Sequence, residues 1–214
     1  MYLSKITILL HSKDADLLFE GGDKTKQFIP GFRFAQNRIN ALLAMAVKAN
    51  PYAEAALIEL DMRLDEVDIV VDDAIRKAKM ALKEAEDDGL KLALLSRENP
   101  FVYEVENATE YGNMLARMMI RADSAFRYIR TAHSSSYLSE RQALMFIRSL
   151  RRNVRMVFDR TASYVNKIQP DVTREDLKKK TQKGRDMIAK MGLPNEKILS
   201  GELTFRHKRI GELD

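Results

Sequence analysis

Between Tyr52 and Leu82 the apolar residues recur three and four positions apart, at Leu57, Leu60, Leu64, Val67, Val71, Ala74, Ala78 and Leu82. That spacing follows the 3.6-residue period of a helix with one apolar stripe, and it commits this stretch to about eight helical turns. Asp65, Asp68, Asp72, Asp73 and Arg76 fall on the remaining surface. Asn50-Pro51 marks the start and Gly89 the end. A stripe of this length needs cover along most of its extent, which implies an antiparallel helix pair or a coiled-coil-like arm.

The flanking sequence alternates between strand-like and helical patterns. Residues 2–10 are rich in β-branched and aliphatic side chains and read as a strand, followed by a short helix over 13–20 that Gly21-Gly22 interrupts. Phe34, Ile39, Leu42, Leu43 and Ala46 mark a helix ending at Asn50-Pro51. Phe101, Tyr103 and Val105 alternate with Val102, Glu104 and Glu106, so residues 101–106 form a strand with the first set inward. From Thr109 a helix carries Leu115, Met118, Met119, Ala122, Phe126 and Ile129 inside and stops at Ser134-Ser135-Ser136. Ser139 with Gln142 forms a capping box that opens a helix to about Lys167, ended by Pro170. Thr173 with Asp176 opens one more helix, to about Met191, before an irregular basic tail. The Met residues at 114, 118, 119 and 145 read as core filling. The resulting fold class is mainly α with short β-strands. Three segments are expected: an N-terminal strand and helical arm over 1–98, a unit over 99–168, and a C-terminal helix with basic tail over 169–214 packed on that unit.

Catalytic constellations are absent from the pattern. No cysteine is present, which removes disulfides and thiolate chemistry and suits a reducing compartment. His11, His133 and His207 stand far apart, and none has the spacing to a second His or a Glu that a helical metal site uses. Ser134, Ser135 and Ser136 lack a nucleophile-elbow frame, and Gly21-Gly22 with Lys24 and Lys26 is no P-loop. No cofactor, metal or small-molecule substrate is expected. The opening residues are too short an apolar run for a signal peptide, and no stretch approaches the ~20 apolar residues of a membrane span, so a cytoplasmic protein without a membrane partner is expected.

Charge points elsewhere. The net charge of +5 is modest, but residues 51–100 hold 7 Lys and Arg against 13 Asp and Glu, whereas residues 141–214 hold 18 against 9. On the helix after Ser139, Arg141, Arg148, Arg152 and Arg155 are seven, four and three residues apart and share one face, bordered by Arg151. Leu144, Ile147, Leu150, Val154 and Phe158 form the opposite, apolar face. Arginine offers a two-pronged fork to phosphate, so this stripe suits double-stranded DNA. The bland alternative pairs it with the acidic helix of residues 51–100. Strand 101–106, helix, serine turn and helix also stand in ribbon-helix-helix order. In that arrangement two copies pair one strand each, which predicts an obligate homodimer. Val102, Glu104 and Glu106 would then face bases, with Ser135 and Ser136 near a phosphate at the second helix. Two glutamates are awkward readers in a field of phosphates, and strand 2–10, with Lys5 and Thr7, is the other candidate ribbon.

Several segments resemble, in the same order, the AcaB-like regulators of conjugative plasmids and integrative conjugative elements. They are Asn50-Pro51-Tyr52-Ala53-Glu54, Ser96-x-x-x-Pro100-Phe101, Val172-Thr173-Arg174-Glu175-Asp176, and Gly192-Leu193-Pro194 followed by Leu199-Ser200-Gly201. The resemblance implies a transcriptional regulator of conjugative transfer genes, an activator, with a ribbon-helix-helix DNA-binding unit. The competing expectation from a different class is a non-enzymatic structural or adaptor protein of a conjugation apparatus, with the long helix as its partner-binding arm.

Overall fold

The long helix is present and forms the axis of the molecule. In a computed structural model of the chain, which describes residues 4–24 and 27–206, α3 runs over Pro51–Asp87. Asn50 caps it by accepting from the Tyr52 and Ala53 amides at 3.1 and 3.2 Å, and Pro51 occupies the first turn, where its missing N–H costs nothing. Seven of the eight stripe residues are buried, Leu82 is half-buried, and Ala53, Ala56, Ala81 and Ala85 extend the buried face.

Around α3 the described chain adds β1 (Ser4–Leu10), α1 (Lys13–Glu20), β2 (Gly22–Lys24), β3 (Gln27–Ile29), α2 (Phe32–Val47), β4 (Phe101–Ala108), α4 (Glu110–Ser134), α5 (Glu140–Val165), α6 (Arg174–Lys178), α7 (Gln182–Met191) and α8 (Glu196–Ser200). Side-chain contacts fix the directions. Tyr111 donates to Asp61, Arg121 binds Asp68 and Asp72, and Tyr137 donates to Asp88, so α4 runs parallel to α3. Tyr164 donates to Glu59, and Lys77 lies over the Phe146 ring, so α5 runs antiparallel to both. The antiparallel partner expected for α3 is therefore α5. With α4 and α5 both against it, α3 is a central helix and not a projecting arm, and one apolar core runs from Ile8 to Phe205.

A correction concerns the ribbon. Strand 101–106, expected to find its partner only in a second copy, pairs antiparallel with β1 of its own chain, with Thr7 opposite Glu104, Ile8 opposite Tyr103 and Leu9 opposite Val102. The physical reason lies in matched alternation: Ile8 and Leu10 on β1 and Val105 on β4 are buried on one side, so pairing closes an apolar face in one step. On the other edge of β4, Arg33 and Gln36 of α2 donate to the Glu104 and Glu106 carbonyls at 3.3 and 3.2 Å. The ribbon-helix-helix arrangement thus loses the unpaired strand on which it rested.

Two further differences appear. The β2–β3 hairpin was not foreseen. The helix expected over 173–191 is two helices, because Lys180 adopts φ +50° and Thr181 starts a new cap, accepting from the Gly184 amide at 3.3 Å. Asp176 ties the junction together, accepting from the hydroxyls of Thr173 and Thr181 at 2.8 and 2.9 Å.

The C-terminal segment is latched onto the start of α3. Asn50 donates to the Gln169 carbonyl at 2.9 Å, Tyr52 to the Gly192 carbonyl at 2.8 Å, and Arg174 binds the buried Glu54 while also donating to the Ile198 carbonyl. Further along, the Arg206 amide donates to Asp61 at 2.7 Å. Segments 50–54, 172–176 and 192–194, noted above for their family resemblance, therefore meet in space. His207 and the rest of the basic tail lie outside the described residues.

Candidate nucleic-acid interface

The capping box that opens α5 forms as the sequence predicts: Ser139 accepts from the Gln142 amide at 3.3 Å, and its own amide donates to the Gln142 side chain at 3.0 Å. Ala143, Ile147, Leu150, Val154, Val157, Phe158 and Thr161 form the buried face. That phase turns Arg141, Arg148 and Arg152 outward, with Arg155 half-buried beside them. At about 100° per residue the four fall within a stripe roughly 60° wide, and the run from first to last covers about 21 Å. Leu144, expected in the core, is 36% exposed, and Met145, expected as core filling, is 57% exposed. Both lie between Arg141 and Arg148 along the helix, off the face that α5 buries against α2, α3 and α4.

The ion pairs among the described residues bypass this stripe. The acids of α3 bind other cations: Glu54 takes Arg174, Glu59 takes Arg63 and Arg160, Asp65 takes Arg206, Asp68 and Asp72 take Arg121, and Asp73 takes Arg76 and Lys77. Among the described residues, Arg141, Arg148, Arg152 and Arg155 have no salt bridge, so the pairing with the acidic helix is not formed. Asp159, one turn beyond Arg155, has its carboxyl pushed above its usual range by burial, with the Arg155 charge acting in the opposite sense.

Arg151 has a different job. Its guanidinium binds Asp14, a buried residue of α1 that also accepts from Arg130 Nε at 3.2 Å. Arg151 is thereby a tether between α5 and α1 and not a free member of the stripe. Sequence periodicity could not show this, since Asp14 lies 137 residues away.

The outer face of the ribbon carries the other candidates. Val102, Glu104 and Glu106 are exposed on β4, as the alternation predicts, and Lys5, Thr7 and Leu9 are exposed on β1. Both strands considered as readers thus belong to one ribbon. Lys5 binds Glu104 at 2.8 Å, and this contact holds the Lys5 ammonium above its ordinary pKa. The glutamate that looked misplaced in a phosphate field therefore sits against a cation on the neighbouring strand. Ser135 caps the end of α4 and donates its hydroxyl to the Thr131 carbonyl at 2.6 Å, while exposed Ser136 turns the chain at φ +67° just before α5. Ser135 is occupied structurally; Ser136 is open to solvent.

Among the described residues no group of three or more His, Asp or Glu is placed to hold a metal ion, and no helix is long and apolar enough to cross a membrane. The arrangement offers fixed positive charge on a helix, which suits a polyanion, and a two-stranded face of mixed character on which Lys5 and Thr7 stand with Leu9, Val102, Glu104 and Glu106. The family model for the transcriptional regulator AcaB matches residues 2–210, nearly the whole chain. The chain belongs to the AcaB family of transcriptional regulators. The fold agrees: a crystal structure of selenomethionine-containing AcaB from uropathogenic E. coli superposes with a TM-score of 0.65 at 14% identity, covering 94% of this chain and 96% of that one. Among curated proteins no match is found. The resemblance seen in scattered motifs is thus a family membership, and the latch between α3 and the C-terminal segment is where three of those motifs come together in this member.

Proposed function

We propose that this AcaB-family regulator is a sequence-specific DNA-binding protein that activates conjugative transfer genes, works as a homodimer in the cytoplasm, and is not an enzyme. The observation that carries the DNA reading is the stripe of Arg141, Arg148, Arg152 and Arg155 on one helix face without carboxylate partners among the described residues, whereas Arg63, Arg121, Arg160, Arg174 and Arg206 pair with acids of α3. A run of about 21 Å exceeds the ~12 Å width of a major groove, so arginines at its two ends reach phosphates on both walls. In this reading the stripe supplies affinity, Ser136 stands at the same helix start, and Lys5, Thr7, Val102, Glu104 and Glu106 on the ribbon face supply sequence choice.

A mobility-shift titration with a transfer-gene promoter and its scrambled counterpart, across a salt series, tests this. Replacing Arg148 and Arg152 by alanine weakens binding to both DNAs by similar factors and lowers the salt slope by about 1 per lost phosphate contact. Thr7→Ala or Glu104→Ala changes the ratio between the two DNAs instead. Absence of any shift at low salt would overturn the DNA reading and favour the adaptor alternative.

A further inference from the structure

The outward sector of α5 has a composition of its own. At about 100° per residue, the positions from 141 to 155 that fall within about 50° of the middle of the arginine stripe are Arg141, Leu144, Met145, Arg148, Arg152 and Arg155. No acid and no neutral hydrogen-bonding side chain falls in that sector. Leu144 and Met145 flank the stripe on opposite sides, both open to solvent, and line a shallow recess with Glu140, Arg141 and Arg148. Glu140 stands about 60° beyond the edge of the stripe, in the first turn, where a carboxylate suits the positive end of the helix.

Two hydrocarbon side chains left in water among unpaired arginines call for a ligand that offers apolar surface between negative charges. A stable protein interface takes about 20–30 residues a side around an apolar centre, and two apolar residues at one end of an arginine row make no such centre. Duplex DNA meets both needs at once. Its groove walls are phosphates, and the apolar group that it displays in the major groove is the thymine C5-methyl. The spacing agrees with this. Leu144 and Met145 lie about 4.5 and 6 Å along the helix from Arg141, in a stripe about 21 Å long. A groove ~12 Å wide centred on that stripe leaves Arg141 and Arg155 over its two walls and brings Leu144 and Met145 just inside the first wall, above base edges.

We propose that Leu144 and Met145 are thymine readers, packing on C5-methyl groups in the major groove that α5 crosses. The inference rests on the DNA reading above and gives α5 a share in sequence choice alongside the ribbon face. The phosphate contacts of the arginines position the helix, and the apolar pair distinguishes what lies beneath it.

The test uses the full chain and one transfer-gene promoter fragment made in two forms, with thymidine or with deoxyuridine at every thymidine position. The two forms have the same charge and the same base pairing and differ only in the methyl groups. Wild type binds the uracil form more weakly, by about fourfold for each methyl covered, the worth of one buried methylene. Leu144→Ala with Met145→Ala brings the ratio between the two forms close to 1 and leaves the salt slope unchanged, because no phosphate contact is lost. Both positions are exposed and alanine is the best helix former, so the variant keeps its fold, as a circular-dichroism melt reports. Equal binding of both forms by wild type overturns the inference whatever the variant does. A thymine preference that survives intact in the double variant also overturns it and places methyl reading elsewhere. Equal binding of both forms by wild type together with loss of promoter activation in the double variant assigns the pair to a protein partner instead. In each of these cases the DNA reading stands, whereas failure to shift either form at low salt overturns the DNA reading itself.

Discussion

Glu54 has almost no solvent contact and faces a guanidinium that is itself mostly covered, which makes the pair costly to break from one side. Glu54→Ala leaves Arg174 charged and unpaired in the latch and should destabilise the fold by about 3 kcal/mol, read as a lower midpoint in denaturant. Asp65→Asn removes only the exposed pair with Arg206 and should cost under about 1 kcal/mol. The same residue scale shows what periodicity can and cannot reveal. It located the buried side chains of α3, α4 and most of α5, because burial of apolar groups follows the helix period. It did not foresee that Asp14, Asp16, Glu54, Asp61 and Asp123 are also buried. Each is stabilised by donors from remote positions, as when Asp123 accepts from the His11 and Ser12 amides at the start of α1, and no local pattern encodes a donor 111 residues away. The pairing of Arg151 with Asp14 escapes the local pattern for the same reason.

Both capping boxes were legible as elements because their partners sit three residues apart, and both form. The α6–α7 break was not, since nothing in the apolar pattern of 173–191 interrupts a helix; the junction is made by a left-handed Lys180 and by close approach of two backbones. At Gly184 an added Cβ would lie 2.3 Å from the Asp176 carbonyl oxygen. Helix propensity alone predicts that Gly184→Ala stabilises by about 1 kcal/mol. The backbone contact reverses the sign, and a net loss on the order of 2 kcal/mol in a thermal or denaturant melt is expected. Asp176 adds a pH dependence: hydrogen bonds from the Thr173 amide and hydroxyl and from Thr181 hold its carboxyl below the usual range. Its contribution is therefore complete above the unfolded carboxylate pKa of about 3.9 and is lost as pH falls through the lowered folded value. Acid titration followed by amide exchange should show residues 173–191 opening later in wild type than in Asp176→Asn, where the contribution is missing at every pH.

For the molecule as a whole, the sequence indicated a mainly helical chain and the strands β1 and β4, but neither the partner of each strand nor the parallel course of α3 and α4. Such pairings join segments far apart in the chain, and a single sequence holds no record of them. Truncation after Ile168 tests how far the C-terminal segment belongs to the common core. It would strip Val172, Leu177, Met187 and Ile198 from buried positions and leave Asn50, Tyr52 and Glu54 without their partners. A fall in melting temperature on the order of 15 °C is expected, measured by calorimetry. The β1–β4 pairing also carries a consequence in time. During synthesis at roughly 5–20 residues per second, β1 is made some 5–20 s before β4 exists. Throughout that interval the alternating apolar residues Ile6, Ile8 and Leu10 are without their native mate. Neighbouring ribosomes on one message hold such segments close together, so the period before β4 is made is the one in which this regulator is most exposed to strand-to-strand aggregation.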